Sequence, residues 1–397
     1  MAIQTSNSRV ELKPWERFID PNPFPSIAEI EESTSIEEVN SVLDQVMGTE
    51  GGIIIQQYKP DGDWLWRQFY GTVIYSAWPR ALLNMAWATV FCTWVRYYTY
   101  GDFDVFTLQT VGDESSVVST FVIIEKIYAV LMSLTTFLLT FFVGQSWAFW
   151  RSFIDVSRNI QGRFTSIQML LTSHAARDEK TGTYTPEAEL FLRDMAQRLK
   201  LFHTLYWASQ SRRFCSLLSD KGWDGMVARG LVSDQERKRL QALKLSPTQK
   251  HMGVFQSTLV TSQKGMTDKK VIATQQTDLL EGKIVDEFCR LRGTTGTIAD
   301  LVAGRMPLAY VHFVELLVDT FLLCTPIAKY ADLGIYSVLM IGILTFFYHG
   351  LLILAKVFLD PLDNESYKVG CVYLDLAVLL RESNGGIDRW IDAAETI

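Results

Sequence analysis

The stretch Leu131–Trp150, LMSLTTFLLTFFVGQSWAFW, carries no charged side chain over its twenty residues. A helix crosses the hydrocarbon core of a bilayer in about 20 mostly apolar residues, so the stretch predicts a membrane-spanning helix. It ends a longer apolar run that Glu125 and Lys126 interrupt. Because of that interruption, we expect two consecutive helices, Val117–Val130 and Leu131–Asn159, rather than one.

Three further apolar runs give the chain a pattern of two pairs separated by a long polar region. The first pair is Pro79–Val95 with Val117–Trp150, and the second is Met306–Ile327 with Leu333–Leu359. The pattern predicts an all-α membrane protein with four transmembrane spans and a helical cytosolic region. Basic residues flank the polar region on both sides, which places that region in the cytoplasm or its topological equivalent.

These observations divide the chain into five segments. They are an acidic N-terminal arm (1–63), a first membrane helix pair (64–160), a helical cytosolic region (161–303), a second membrane pair (304–360) and a C-terminal segment (361–397). We expect the arm to be mostly extended, with one short helix at Ser35–Val46. Apolar periodicity predicts amphipathic helices in the cytosolic region at Glu187–Phe202, Asp234–Leu243 and Asp278–Cys289.

Composition argues against several classes of protein. The formal net charge of -7 provides no basic footprint for nucleic acid. Five scattered cysteines without CxxC spacing indicate neither a disulfide framework nor a zinc site. The five histidines are isolated from one another, and no phosphate loop or GxSxG motif is present. We therefore expect neither enzymatic activity nor a cofactor.

Two helical faces carry the candidate functional residues. His312, Glu315 and Asp319 share one face of the third span, where they predict a polar lining, an inter-subunit network or a buried packing face. Ser133, Phe137 and Phe141 form a stripe on the second run. The stripe fits either core packing or a hydrophobic constriction on an axis shared by several subunits.

Several motifs together resemble the bestrophin family of anion channels. They agree with it in order and spacing over roughly residues 64–367, and they are Gly71–Ile74, Trp78–Leu83, Gly230–Lys238, Arg292–Gly293 with Gly296, Pro307–Tyr310, Phe346–Tyr348 and Asp360–Leu362. The resemblance implies a homopentamer with cytosolic termini and one axial pore. Carried over by position, it puts a hydrophobic neck on Ser133, Phe137 and Phe141. A deeper aperture falls near Gln275 and Ile272.

Calcium is the family property from which this chain departs. Animal members follow the last span with a run of acids that binds Ca²⁺, and the matching candidates here are Asp360, Asp363 and Glu365. Three carboxylates are few for a cation that takes six to eight oxygen ligands. We expect at most a weak dependence on Ca²⁺.

The sequence leaves function and location between stated alternatives. The leading hypothesis is a channel that passes chloride, bicarbonate or nitrate across the lipid membrane. The alternative is a non-conducting membrane scaffold that recruits partners through its cytosolic helices. A secondary transporter is disfavoured because no paired repeat with broken helices is visible. The plasma membrane and a plastid (thylakoid) membrane both fit the sequence.

Overall fold

A computed structural model describes residues 25–48, 52–55, 71–101, 116–273, 277–365, 367 and 372–395. Over these ranges the chain is mainly helical, and two isolated bridges are its only β pairings. The helices are α1 (Ile27–Ser33), α2 (Ile36–Met47), α3 (Val73–Tyr100), α4 (Ser116–His174), α5 (Pro186–Ala208), α6 (Asp220–Ala228), α7 (Asp234–Ala242), α8 (Lys250–Thr267), α9 (Thr277–Ala303), α10 (Leu308–Leu333), α11 (Ser337–Phe358) and α12 (Leu376–Glu395).

The chain forms two compact units. The first unit combines Met1–Gly48 with Gln197–Thr258, and the second combines Thr49–Ala196 with Leu259–Ile397. The predicted helices of the middle region are confirmed within α5, α7 and α9, each at a somewhat different length.

In the first unit, the N-terminal segment is helical where the structure describes it. The expected short helix is present as α2, but the remainder of the described segment is not extended, because α1 precedes it. α2 buries Val39 and Leu43 and packs against α6, where a Cβ on Gly225 would lie 2.9 Å from each of them. Asp44 forms an ion pair with Arg229 at 2.7 Å. Burial of apolar side chains therefore packs α2 against α6, although the acidic composition of this segment suggested a mostly extended arm.

In the second unit, α3 runs antiparallel to α11. The side-chain amide of Asn84 donates to Thr345 Oγ1 at 3.0 Å. About two helical turns further along α3, Cys92 Sγ lies 3.3 Å from Ser337 Oγ. Gly342 permits the close approach between them, because a Cβ there would lie 2.6 Å from the sulfur of Met85. These contacts fix the register of the two helices.

α4 runs antiparallel to α10, and aromatic contacts mark the register. Tyr128 stacks on Phe321 with ring centroids 5.0 Å apart, and Phe142 meets Tyr310 edge-on at 5.9 Å. α4 also packs against α9 and α12. For example, Arg163 of α4 forms an ion pair with Glu287 of α9 at 3.1 Å. α4 is therefore the helix against which α9, α10, α11 and α12 all pack.

The expected break in the second apolar run is wrong, because α4 is one continuous helix of 59 residues. Glu125 does not end the helix, since its carboxylate pairs with Lys329 of α10. Lys126 lies on the exposed side. Neutralising one charge within the protein and exposing the other removes the reason to interrupt the helix at this point.

Among the described residues, two helical stretches are long and apolar enough to cross a membrane, Thr120–His174 and Leu308–Phe358. The second contains α10 and α11, which are separated by the short 3₁₀ turn Gly334–Tyr336. Only 22% of the most apolar window in the first stretch and 33% in the second are buried. A helix in the core of a soluble protein would be mostly buried.

Candidate functional site

α4 has one covered face and one open face. Thr135, Leu139 and Phe142 are buried against the neighbouring helices. On the opposite side Ser133, Phe137 and Phe141 are exposed, Phe137 to 68% and Phe141 to 50%. All three predicted neck residues therefore share one uncovered apolar surface of the protomer.

The open face continues along α4 well past the apolar stretch. Gly144, Ala148, Asp155, Asn159 and Gly162 follow one another at helical spacing, and all are exposed. A Cβ added at Gly144 or at Gly162 would meet no heavy atom within 4 Å. A helix of this length extends about 90 Å, three times the thickness of a bilayer core. The same face thus carries phenylalanine rings up to Phe141 and small or polar residues from Gly144 onward.

The predicted polar face of α10 is partly neutralised by two basic residues. Glu315 pairs with Lys356 of α11 at 2.7 Å, and Asp319 pairs with Arg80 of α3 at 3.2 Å. His312 is exposed, so the three predicted residues do not form one network within the protomer. Sequence reasoning missed both cations as partners, although Lys356 is the single charged residue of α11.

The two predicted aperture residues differ in what the structure shows. Gln275 lies outside the described residues. Ile272 is 2% exposed and bridges to Ala175, just after the end of α4. Because packing within the protomer already encloses its side chain, we leave Ile272 out of the proposed pore lining.

All three candidate calcium ligands, Asp360, Asp363 and Glu365, lie within the described residues, and Asp363 is partly buried. Asp360 is buried, and its two carboxylate oxygens accept from the backbone N–H groups of Asn364 at 3.0 Å and Glu365 at 2.7 Å. The Glu365 carboxylate lies 3.7 Å from Arg305. Burial raises the pKa of Asp360, although these N–H groups oppose the shift. Within the described ranges no three acids, histidines or cysteines form a group fit for a metal.

Comparisons with known proteins agree with the resemblance seen in the sequence. A family model described as "Bestrophin, RFP-TM, chloride channel" matches residues 69–374. No curated protein matches the chain. A crystal structure of a bacterial bestrophin homologue from Klebsiella pneumoniae is similar at 16% identity and a TM-score of 0.53, over 80% of this chain and 97% of that one. A variant of that homologue is similar at 15% identity and a TM-score of 0.55, and the match covers 83% of this chain and 100% of that one.

We predict that the Asp360 loop holds its shape without calcium. Removal of Ca²⁺ by a chelator should leave both the melting temperature and any current unchanged, because backbone N–H groups already satisfy the carboxylate. Asp360→Ala should destabilise the protein by about 1–3 kcal/mol, since two N–H groups lose their acceptor. Asp360→Asn, which keeps one acceptor oxygen, is the matched control and should cost less. A chelator that lowers the melting temperature of the wild type would contradict this account.

Proposed function

We propose that this chain, which belongs to the bestrophin family, forms an anion-selective channel whose pore is lined by α4. The family is one of chloride channels, and its members lie in membranes. The observation that supports α4 as the lining is its open face, where Ser133, Phe137 and Phe141 are exposed on the side opposite the residues that pack against α10 and α11. Phenylalanine rings around an axis form a constriction that gates by dewetting.

The proposed protomer spans the membrane four times, through α3, α4, α10 and α11. α3 is less apolar than the other three helices, because it contains tryptophans, tyrosines and arginines. The positions of its tryptophans nevertheless favour a membrane span. Trp78 and Trp94 are 57% and 59% exposed near its opposite ends. Sixteen residues separate them, or about 24 Å of helix, which is close to the spacing of two membrane interfaces. These aromatic side chains favour contact between α3 and lipid, which leaves α4 for the pore.

The proposed assembly is a homopentamer with both termini in the cytosol. One protomer does not surround a path with α4, so the open face requires other copies to enclose it. The half-exposed pair of Arg80 and Asp319 also favours cover by protein, because charges at membrane depth rarely face lipid.

The mass of the purified protein tests this assembly. In detergent or nanodiscs we expect a single species near five times the protomer mass of 45.2 kDa, after the mass of detergent or lipid is subtracted. Native mass spectrometry or light scattering measures it. A stable monomer would remove the pore, because the open face of α4 would then have no partner.

We predict that Phe137→Ala and Phe141→Ala raise the current or make it constitutive. Each change widens and wets an apolar constriction, and neither side chain is buried in the protomer. The matched control is Phe142→Ala, next in sequence but fully buried, which should cost about 3–5 kcal/mol and reduce the yield of assembled protein. Bilayer recordings and size-exclusion profiles measure the two effects. Loss of assembly in Phe137→Ala would place that ring in a structural contact instead.

We expect the current to be carried by anions, with nitrate or iodide passing at least as well as chloride. An apolar neck favours ions that give up their water easily, and the positive edges of aromatic rings tolerate anions. Reversal potentials of the purified protein in planar bilayers under salt gradients measure this selectivity. A reversal potential that follows sodium would refute the channel as proposed. An intact pentamer without any current would instead support the non-conducting scaffold.

A further inference from the structure

Before the neck residues, the open face of α4 carries a charged residue, Lys126. Lys126 is exposed and lies eleven residues before Phe137. With 3.6 residues per turn, eleven residues bring a side chain back to within about 20° of its starting direction. Val130 and Ser133, both exposed, occupy the turns between them. If Phe137 faces an axis, Lys126 faces it too.

The neighbouring charges leave the ammonium group of Lys126 uncompensated. Glu125 points to the other side of the helix, where it pairs with Lys329 of α10. Lys329 also lies 3.7 Å from Asp332. Within the part of the chain that the structure describes, Lys126 has no ion-pair partner. Glu125 and Asp332 are therefore both occupied by another lysine.

The position of Lys126 along α4 corresponds to the end of the pore away from the cytosolic helices. Trp147 and Trp150 stack on each other and contact Phe358 at the end of α11. Tryptophan favours a membrane–water interface, and in the proposed topology this end of α4 is the cytosolic one. Lys126 precedes Trp150 by 24 residues, or about 36 Å of helix, slightly more than the thickness of a bilayer core. At that level an exposed ammonium group is in contact with water, where its charge carries little penalty.

We infer that Lys126 forms a ring of positive charge at the outer mouth of the pore and governs how readily anions enter from that side. This inference rests on the proposed channel function and names a determinant of conduction within it. Like charges that line a cleft raise the local concentration of the opposite ion and speed its entry. At the cytosolic end of the same face, the exposed charges are of both signs, Arg151 and Asp155. The effect should therefore be stronger for anions that enter from the outer side.

The test compares currents at low and high salt for the purified full-length protein in planar bilayers. The Debye length is about 30 Å at 0.01 M salt and about 3 Å at 1 M, so added salt removes the influence of a charged ring. The ratio of the two conductances in one membrane does not depend on the number of channels. Lys126→Gln removes the charge and Lys126→Arg keeps it. Lys238→Gln, which removes an exposed charge from α7 in the first unit, is the control.

We expect Lys126→Gln to lower the ratio of low-salt to high-salt conductance at least about two-fold, mainly for anions entering from the outer side. Lys126→Arg and Lys238→Gln should keep the wild-type ratio. A Lys126→Gln ratio equal to that of the wild type overturns the inference, and so does a current that falls equally at both salt concentrations. In either case the wild-type anion current still supports the proposed function. A wild type without anion current overturns the proposed function itself.

Discussion

The packing of α4 against α10 and α11 determines what the second unit can present to its surroundings. Tyr128, Leu139 and Phe142 lie on one side of α4, and their burial fixes the rotation of the helix about its own axis. Fully burying an apolar side chain of this size stabilises the fold by about 1.5–3 kcal/mol. A different rotation of α4 would lose this contribution for several side chains at once. Once this face is covered, the opposite face with Phe137 and Phe141 must remain open in the protomer.

Ion pairs connect the same helices to one another. Glu125 with Lys329 joins α4 to α10, Glu315 with Lys356 joins α10 to α11, and Asp319 with Arg80 joins α10 to α3. Such pairs add little net stability over apolar packing, but loss of one partner leaves a charge that is expensive to keep there. They therefore act mainly against alternative registers, in which a charge would face a neighbour of the wrong kind.

The sequence was sufficient for the fold class and the apolar runs, because helix-length hydrophobic stretches are local signals. It failed where the deciding contact is remote. The continuity of α4 depends on Lys329, which is 204 residues from Glu125. The backbone bridge between Ile272 and Ala175 is also remote, and no spacing rule reveals it. The sequence named Asp360 as a candidate calcium ligand, but it did not reveal that this carboxylate accepts from the backbone N–H groups of Asn364 and Glu365. The sequence left Phe137 between core packing and an exposed pore lining. Both alternatives produce apolar residues at the same helical spacing, so the pattern could not distinguish them.

The rotation of α4 also sets the sign of the charge on its open face. Glu125 and Lys126 are adjacent, so about 100° of helix rotation separates them. In the observed rotation, the acid turns toward α10 and is neutralised, whereas the base stays on the side of Phe137. A rotation by one residue would bring Glu125 to the direction that Lys126 now occupies and place carboxylates on the open face, where a ring of them would attract cations. The apolar contacts that bury Leu139 and Phe142 thus determine both the position of the proposed constriction and the sign of the charge at its proposed outer mouth.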